Sequence, residues 1–453
     1  MTVTEATSAA PKKGRWIGDW RPDDPAFWAS GGSRVARRNL IWSIFAEHLG
    51  FTLWTVWSIV TVKMSSYQFT TDQLFWIVSL PNLIGSTLRI PYTFAPARFG
   101  GRNWTVVSAL LLLIPAVLLA VAVSNPDTPY WAFLVIAATA GFGGGNFASS
   151  MANITYFYPQ SKQGSALGLN AAGGNIGVSS VQLLMPLVIT GFGLAAAGLF
   201  WVPFILAAAI GAWFFMDNLT TAKASPRDQL KIAGRAQTWI MSFLYIGTFG
   251  SFIGYSTAFP LLINSQFPEH AGLVSLAFLG PLVGSLIRPV GGWLSDRMGG
   301  ARVTLWNFVA MAGAVLLVGY GLSVHNFALF FGSYMLLVAS TGVGNGSTYR
   351  MIPAIFRAKA TAGLAKGTEA YEAAAIVGRR NAAAAVGIIS AIGAYGGFFI
   401  NRGFGSSIAA TGGAGAALTA FALFYAACFV LTWACYLRKV GAGTVPSLAA
   451  ARI

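Results

Sequence analysis

The chain has 453 residues, of which 55% are hydrophobic and only 9% charged, and its formal net charge is +16. Soluble domains carry about 25% charged residues, so a water-soluble globular protein is excluded. With a mean hydropathy of +0.64, the chain reads as a polytopic membrane protein.

Residues 1–38 lack the apolar core of a cleavable signal and read as a polar tail. Apolar stretches of about 20 residues then recur, long enough to cross ~30 Å of hydrocarbon as helices. They lie at 39–62, 73–96, 104–123, 130–155, 165–190, 192–216, 237–263, 272–295, 303–323, 327–352, 380–400 and 413–436. None alternates polar and apolar residues as a membrane-barrel strand does. The expected fold class is therefore all-α, with twelve transmembrane helices. The polar run "DNLTTAKASPRDQLKIAGRAQ", starting at Asp217, interrupts the pattern midway. The predicted organisation is a tail (1–38), a six-helix bundle (39–216), a linker (217–236), a second six-helix bundle (237–437) and a tail (438–453).

The basic excess points to topology, not to nucleic acid. Most of the 29 Lys and Arg fall in the tails and in the even-numbered connections, and only Lys63 and Arg402 in the opposite loops. The positive-inside rule places both tails in the cytoplasm of a cell-membrane protein, which an even span count satisfies. Cys428 and Cys435 stand seven residues apart in the last stretch and form no disulfide framework.

A repeat lies in the numbering. "GSTLRIPYTFAPARFGGR" (85–102) aligns without gaps with "GSLIRPVGGWLSDRMGGA" (284–301), matching Arg89 with Arg288 and Arg98 with Arg297. The offset, 288 − 89 = 199, also pairs Gly143 with Gly342, Gly145 with Gly344 and Asn146 with Asn345. It relates span 2 to span 8 and span 4 to span 10. That is a parallel six-plus-six repeat, the architecture of the major facilitator superfamily, whose substrate site lies at the midplane between the halves.

Arg89 and Arg288 sit inside apolar stretches, where an arginine costs at least ~2.5–3.5 kcal/mol and marks a functional cavity. Two guanidiniums facing across the repeat axis make an anion site, and their fork geometry suits a planar oxyanion such as nitrate or nitrite. Asn146, Asn153, Asn170 and Asn175 add amide donors. Gly143, Gly144 and Gly145, like Gly342 and Gly344, let helices approach closely and slide. Glu47 and His48 are a membrane-depth acid beside a histidine, a candidate proton carrier or a buried hydrogen-bonding pair. Arg350 reads as interfacial. His48, His270 and His325 are scattered, with no HExxH or paired-carboxylate constellation, so an enzyme, a metal and a cofactor are not expected.

These residues carry a resemblance. "GFGGGNFASSMANITYFYP" (141–159) resembles the first signature of the nitrate/nitrite porters of the NarK type, and "TGVGNGSTYRMIPAIF" (341–356) resembles the second. The resemblance spans nearly all of residues 38–437. It implies that Arg89 and Arg288 clamp the ion, that Asn170 or Asn175 and Tyr245 hydrogen-bond it, and that Phe147 and Phe249 sandwich it. Superfamily members usually carry an Asp-Arg pair after span 2. The second half keeps it as Asp296–Arg297, whereas Ala97 replaces the acid in the first, so a one-sided gating bridge is expected. The expected function is secondary active transport of nitrate and nitrite, most simply nitrate uptake in exchange for nitrite. Proton-coupled nitrate import is the alternative, and an anion channel a distant one. The expected partners are the two anions and the lipid bilayer, with the chain acting as a monomer.

Overall fold

The computed structural model describes residues 15–222, 231–438, 448 and 453, and it is mostly helical. Twelve long helical segments follow one another among these residues. They are α1 (Ser33–Thr55), α2 (Thr71–Phe99), α3 (Gly101–Ser124), α4 (Tyr130–Phe157), α5 (Gln160–Phe192) and α6 (Ala196–Phe215), followed by α7 (Ala236–Gln266), α8 (Pro268–Met298), α9 (Gly300–Ser323), α10 (Phe327–Ala360), α11 (Glu369–Thr411) and α12 (Gly415–Leu437). Ten of them, α3 to α12, are long and apolar enough to cross a membrane. The first two fall short of that measure because polar residues break their apolar runs: Asn39, Ser43, Glu47 and His48 in α1, and Pro81, Asn82 and Arg89 in α2. Most of these face inward, with Asn39, Ser43, Glu47, Asn82 and Arg89 all buried.

Helix ends follow local chemistry. Thr70 opens α2 with a capping box, its Oγ1 accepting from Gln73 N while Gln73 Oε1 accepts from Thr70 N. Gly100 and Gly299 close α2 and α8 at φ +88° and +89°, a conformation that favours glycine. They stand 199 residues apart, the offset of the sequence repeat. Helices α10 and α11 outrun the expected stretches: α11 has 43 residues, about 65 Å at 1.5 Å each. Hydropathy reads only the part immersed in hydrocarbon, so it missed these polar extensions. Arg402, expected in a loop, therefore lies inside α11.

Close packing is built on glycine. A Cβ on Gly144 would run into Gly85 of α2 and the indole of Trp54 in α1. One on Gly143 would strike the carbonyl of Gly50, and one on Gly342 that of Gly284. These glycines bring α4 onto α1 and α2, and α10 onto α8. Between the first six helices and the last six, α2 packs along α11 and α5 along α8. At one end these contacts are bridged. Arg402 donates to Asp72 Oδ1 at 2.8 Å and stacks 4.0 Å over Trp76, while Gln182 of α5 donates to the carbonyl of Ser256 in α7 at 2.7 Å. At the other end, the first turns of α5 and α11 are largely exposed.

The stretches expected to be a tail and a linker carry structure. Strand β1 (Trp16–Ile17) pairs in parallel with β2 (Asn218–Leu219). Trp20 packs edge-on against Phe27 and Phe157. Residues 1–14, 223–230, 439–447 and 449–452, which include the rest of the predicted linker and tails, lie outside the described residues.

Gly342→Val should be destabilising through overpacking, by about 1–3 kcal/mol. A lowered melting temperature and loss of the monodisperse peak in detergent check this, whereas the same change at Gly332, which has open space around it, should be tolerated.

Candidate functional site

Arg89 lies on α2 where Gly85 and Gly144 draw α2 and α4 together, and its side chain is fully buried. Its Nε donates to the carbonyl of Gly144 at 3.1 Å, and its Nη1 to the carbonyl of Ser390 on α11 at 3.1 Å. One guanidinium thus ties α4 to α11. Its Nη2 is buried without a partner. Aromatic rings enclose it: Phe147 at 4.5 Å, Phe249 at 4.8 Å and Trp54 at 5.3 Å. Trp54 is held by its own bond to the carbonyl of Pro81 at 2.7 Å.

Arg288 of α8 is also buried, with Nη1 unpartnered and Tyr349 of α10 at 5.4 Å from its guanidinium carbon. Arg89 and Arg288 lie within electrostatic range of each other, and each lies within range of both Tyr245 and Glu47. The two halves of the repeat therefore deliver their arginines to one buried region. Other buried donors are unpartnered too, and Asn146 lines the small cavity beside Glu47. Asn175 and Asn146 are buried with neither amide atom engaged. A buried unpaired polar group normally costs about 1–3 kcal/mol, and two guanidiniums in one region, each with an unpaired nitrogen, make a site suited to an anion.

The other expected ligands are placed differently. Asn170 donates both amide hydrogens elsewhere, to Glu47 Oε2 and to Ser150 Oγ, each at 2.6 Å. It offers only its carbonyl oxygen, which repels an anion. Tyr245 donates its hydroxyl to Asn345 Oδ1 at 3.0 Å and stacks on Phe249. Phe147 and Phe249 stack with centroids 5.9 Å apart. An ion between two rings needs roughly 7 Å, two layers of 3.5 Å, so in this arrangement the rings cover Arg89 and leave no layer between them. Asn153 lies away from the pair, against Gly101 at the start of α3.

Glu47 and His48 do not form a dyad, since neighbouring residues on a helix point in different directions. Glu47 is fully buried, faces Asn170, and keeps Oε1 unpartnered. It borders a polar cavity of about 10 Å³, room for one water, that Ser43, Thr105, Ser108, Asn146 and Ser150 help to line. His48 turns the other way and donates Nδ1–H to the carbonyl of Gly173 at 3.0 Å.

The glycine signatures serve packing. Besides Gly143, Gly144 and Gly342, Gly145 accommodates the ring of Tyr92 and Gly344 the side chain of Asn307. Asp296 pairs not with Arg297 but with Arg350 of α10, at 2.5 Å, while Arg297 stacks 4.1 Å over Trp293. The Asp296 bridge thus lies within the second half, joining α8 to α10. Sequence reasoning missed Trp54, Tyr349, Ser150 and Asp72. Tyr349 sits inside the second signature and was legible there. The others have no distinguishing local pattern, because their hydrogen-bond and ion-pair partners are 20 or more residues away.

The sequence family model described as Major Facilitator Superfamily matches residues 40–368. The chain is 44% identical over 444 residues to the nitrate/nitrite transporter NarU of Escherichia coli, covering 93% of this chain and 96% of that one. The chain belongs to the nitrate/nitrite transporter family of the major facilitator superfamily. It is also 38% identical to the probable nitrate/nitrite antiporter NarK2 of Thermus thermophilus, over 94% of this chain and 98% of that one. Among solved structures, a bacterial homolog of the human lysosomal transporter Spinster, inward-facing and occupied, superposes with a TM-score of 0.59 at 15% identity. That match covers 87% of this chain and 95% of the other and is a likeness of fold. As a facilitator-superfamily protein, the chain is a multi-pass membrane protein.

Lysine keeps the charge of an arginine but loses its planar fork. Arg89→Lys and Arg288→Lys should each weaken nitrate binding roughly 10- to 100-fold, the worth of a charge-assisted hydrogen bond. Arg288→Lys should leave the melting temperature of the empty protein little changed, while Arg89→Lys, which gives up the bonds to Gly144 and Ser390, should lower it. Calorimetric titration with nitrate checks this.

Proposed function

We propose that this protein carries nitrate and nitrite across the cell membrane by alternating access, taking up nitrate in exchange for nitrite. The observation that carries the reading is the pair of buried guanidiniums, Arg89 and Arg288, contributed by the two halves and each with a free nitrogen. The NarU and NarK2 relatives support it. In this reading α1 and α2 complete twelve spans, divided into bundles 39–216 and 237–437, and both tails lie in the cytoplasm. The protein acts as a monomeric carrier, not as an enzyme or a channel. Arg89 Nη2, Arg288 Nη1 and the Asn175 amide contact the ion, Asn146 borders it, and Phe147 and Phe249 shield it from water.

Exchange follows from electrostatics. An uncompensated buried charge costs about 3–5 kcal/mol. If closing around an empty site carries even the lower figure, the empty carrier reorients on the order of 100-fold more slowly than the loaded one. An anion must then be carried on each leg.

A second reading, proton-coupled import, is favoured by one observation: Glu47 is a buried carboxyl within electrostatic range of both arginines. Were it protonated when the anion is bound and ionised when the site is empty, the site would carry the same net charge on both legs. The empty carrier could then return.

Proteoliposomes separate the two. Exchange predicts rapid nitrate uptake into nitrite-loaded vesicles without a pH gradient, at least tenfold slower uptake into anion-free vesicles, and little effect of Glu47→Gln on either. Uptake into anion-free vesicles that follows an imposed pH gradient, and is lost in Glu47→Gln, would replace exchange with symport.

A further inference from the structure

On the face of α1 and α5 opposite Glu47 lies a groove of about 330 Å³ lined by Ile41, Ile44, Phe45, His48, Gly173 and Ile176. It opens outward: Ile41 is 53% exposed, and Leu169, on the same face of α5 as Gly173 and Ile176, is 58% exposed. Gly173 forms its floor, for a Cβ there would collide with Ile44. His48 lies at the deep end.

The two helical stripes that border this groove end in cations. On α1 the stripe runs Arg37, Ile41, Ile44, His48, and on α5 it runs Lys162, Leu169, Gly173, Ile176, each at helical three-, four- and seven-residue spacing. Arg37 and Lys162 are exposed, and neither is ion-paired among the described residues. Interfacial aromatics bring the two stripes together at that end. Lys162 Nζ stands 5.4 Å over the ring of Trp28, Trp28 packs 5.6 Å from Tyr158, and Arg37 acts electrostatically on Tyr158. Trp and Tyr at this depth mark the headgroup level. From Arg37 to His48 the helix rises eleven residues, about 16 Å, comparable to much of one leaflet of hydrocarbon.

We propose that this groove is a binding site for an anionic phospholipid. One acyl chain lies between α1 and α5, and the headgroup phosphate lies between Arg37 and Lys162. Charge complementarity favours the anionic lipid: beyond the general positive-inside bias, both cations at the end of this groove are exposed and free of ion pairs among the described residues. The site has a mechanical consequence. The same two helices hold Glu47 against Asn170 one residue away on their inner face, so a chain wedged at Gly173 braces the contact that orients the Glu47 network. This inference is independent of which anion the protein carries.

Native mass spectrometry of the full chain, titrated with phosphatidylglycerol or with phosphatidylcholine of the same acyl chains, tests it. Phosphatidylglycerol should bind more tightly by on the order of 30-fold, from two cations at the interface. The double variant R37Q/K162Q should bring the two lipids level. Ile41→Trp, which fills the groove and leaves the charges in place, should weaken phosphatidylglycerol binding at least fivefold, and excess glycerol phosphate should not displace the lipid. Equal binding of the two lipids by the unaltered protein, or a preference that survives R37Q/K162Q, would overturn the proposal. So would unchanged binding in Ile41→Trp, or displacement by glycerol phosphate, which would assign the cations to free phosphate.

Discussion

A guanidinium removed from water must find acceptors or a counter-charge, and Arg89 finds only part of what it needs. Two carbonyls take two of its hydrogens, three aromatic rings cover its surface, and Nη2 remains unengaged. Arg288 is in the same position with less support. The surrounding fold exists around this unfinished coordination. The carbonyl of Gly144 is reachable only because Gly85 and Gly144 let α2 and α4 touch, and that of Ser390 only because α11 lies along α2. In the proposed function, an incoming anion completes both arginines at once and holds together helices from both halves.

Glu47 is the group on which the choice between exchange and proton coupling turns. It is the acid within range of both arginines, and its orientation is controlled by Asn170 and, through Asn170, by Ser150 and Ser43. A residue that holds an acid in place affects the anion without touching it. This explains why an asparagine with the composition of a ligand serves as a support, while Asn175, five residues on, keeps its amide free.

The two ends of the molecule are unequal. Where Arg402 meets Asp72 and Gln182 meets Ser256, side chains bridge the halves. At the opposite end the corresponding helices extend as exposed polar turns, with Asp296–Arg350 tying α8 to α10 within one half. An alternating-access carrier needs contacts of this kind that form at one end while they are absent at the other.

Much of this was legible in the sequence, for physical reasons. Hydrocarbon demands about 20 apolar residues per crossing, so most spans announced themselves, and duplication left Arg89 and Arg288 at a common offset with Gly100 and Gly299 beside them. A charged residue in an apolar run is conspicuous because it is expensive, so position and the repeat together singled out Arg89 and Arg288, and the structure buries both. Tertiary structure decided what depends on direction and distance. It turned Glu47 and His48 to opposite faces and occupied both donors of Asn170. It closed Phe147 on Phe249 over a guanidinium, placed Arg402 against Asp72, and extended α10 and α11 beyond the bilayer-length core. Spacing along a chain reports which residues share a helix face. Which hydrogens remain free after every neighbour has taken its share is settled only when the helices have packed.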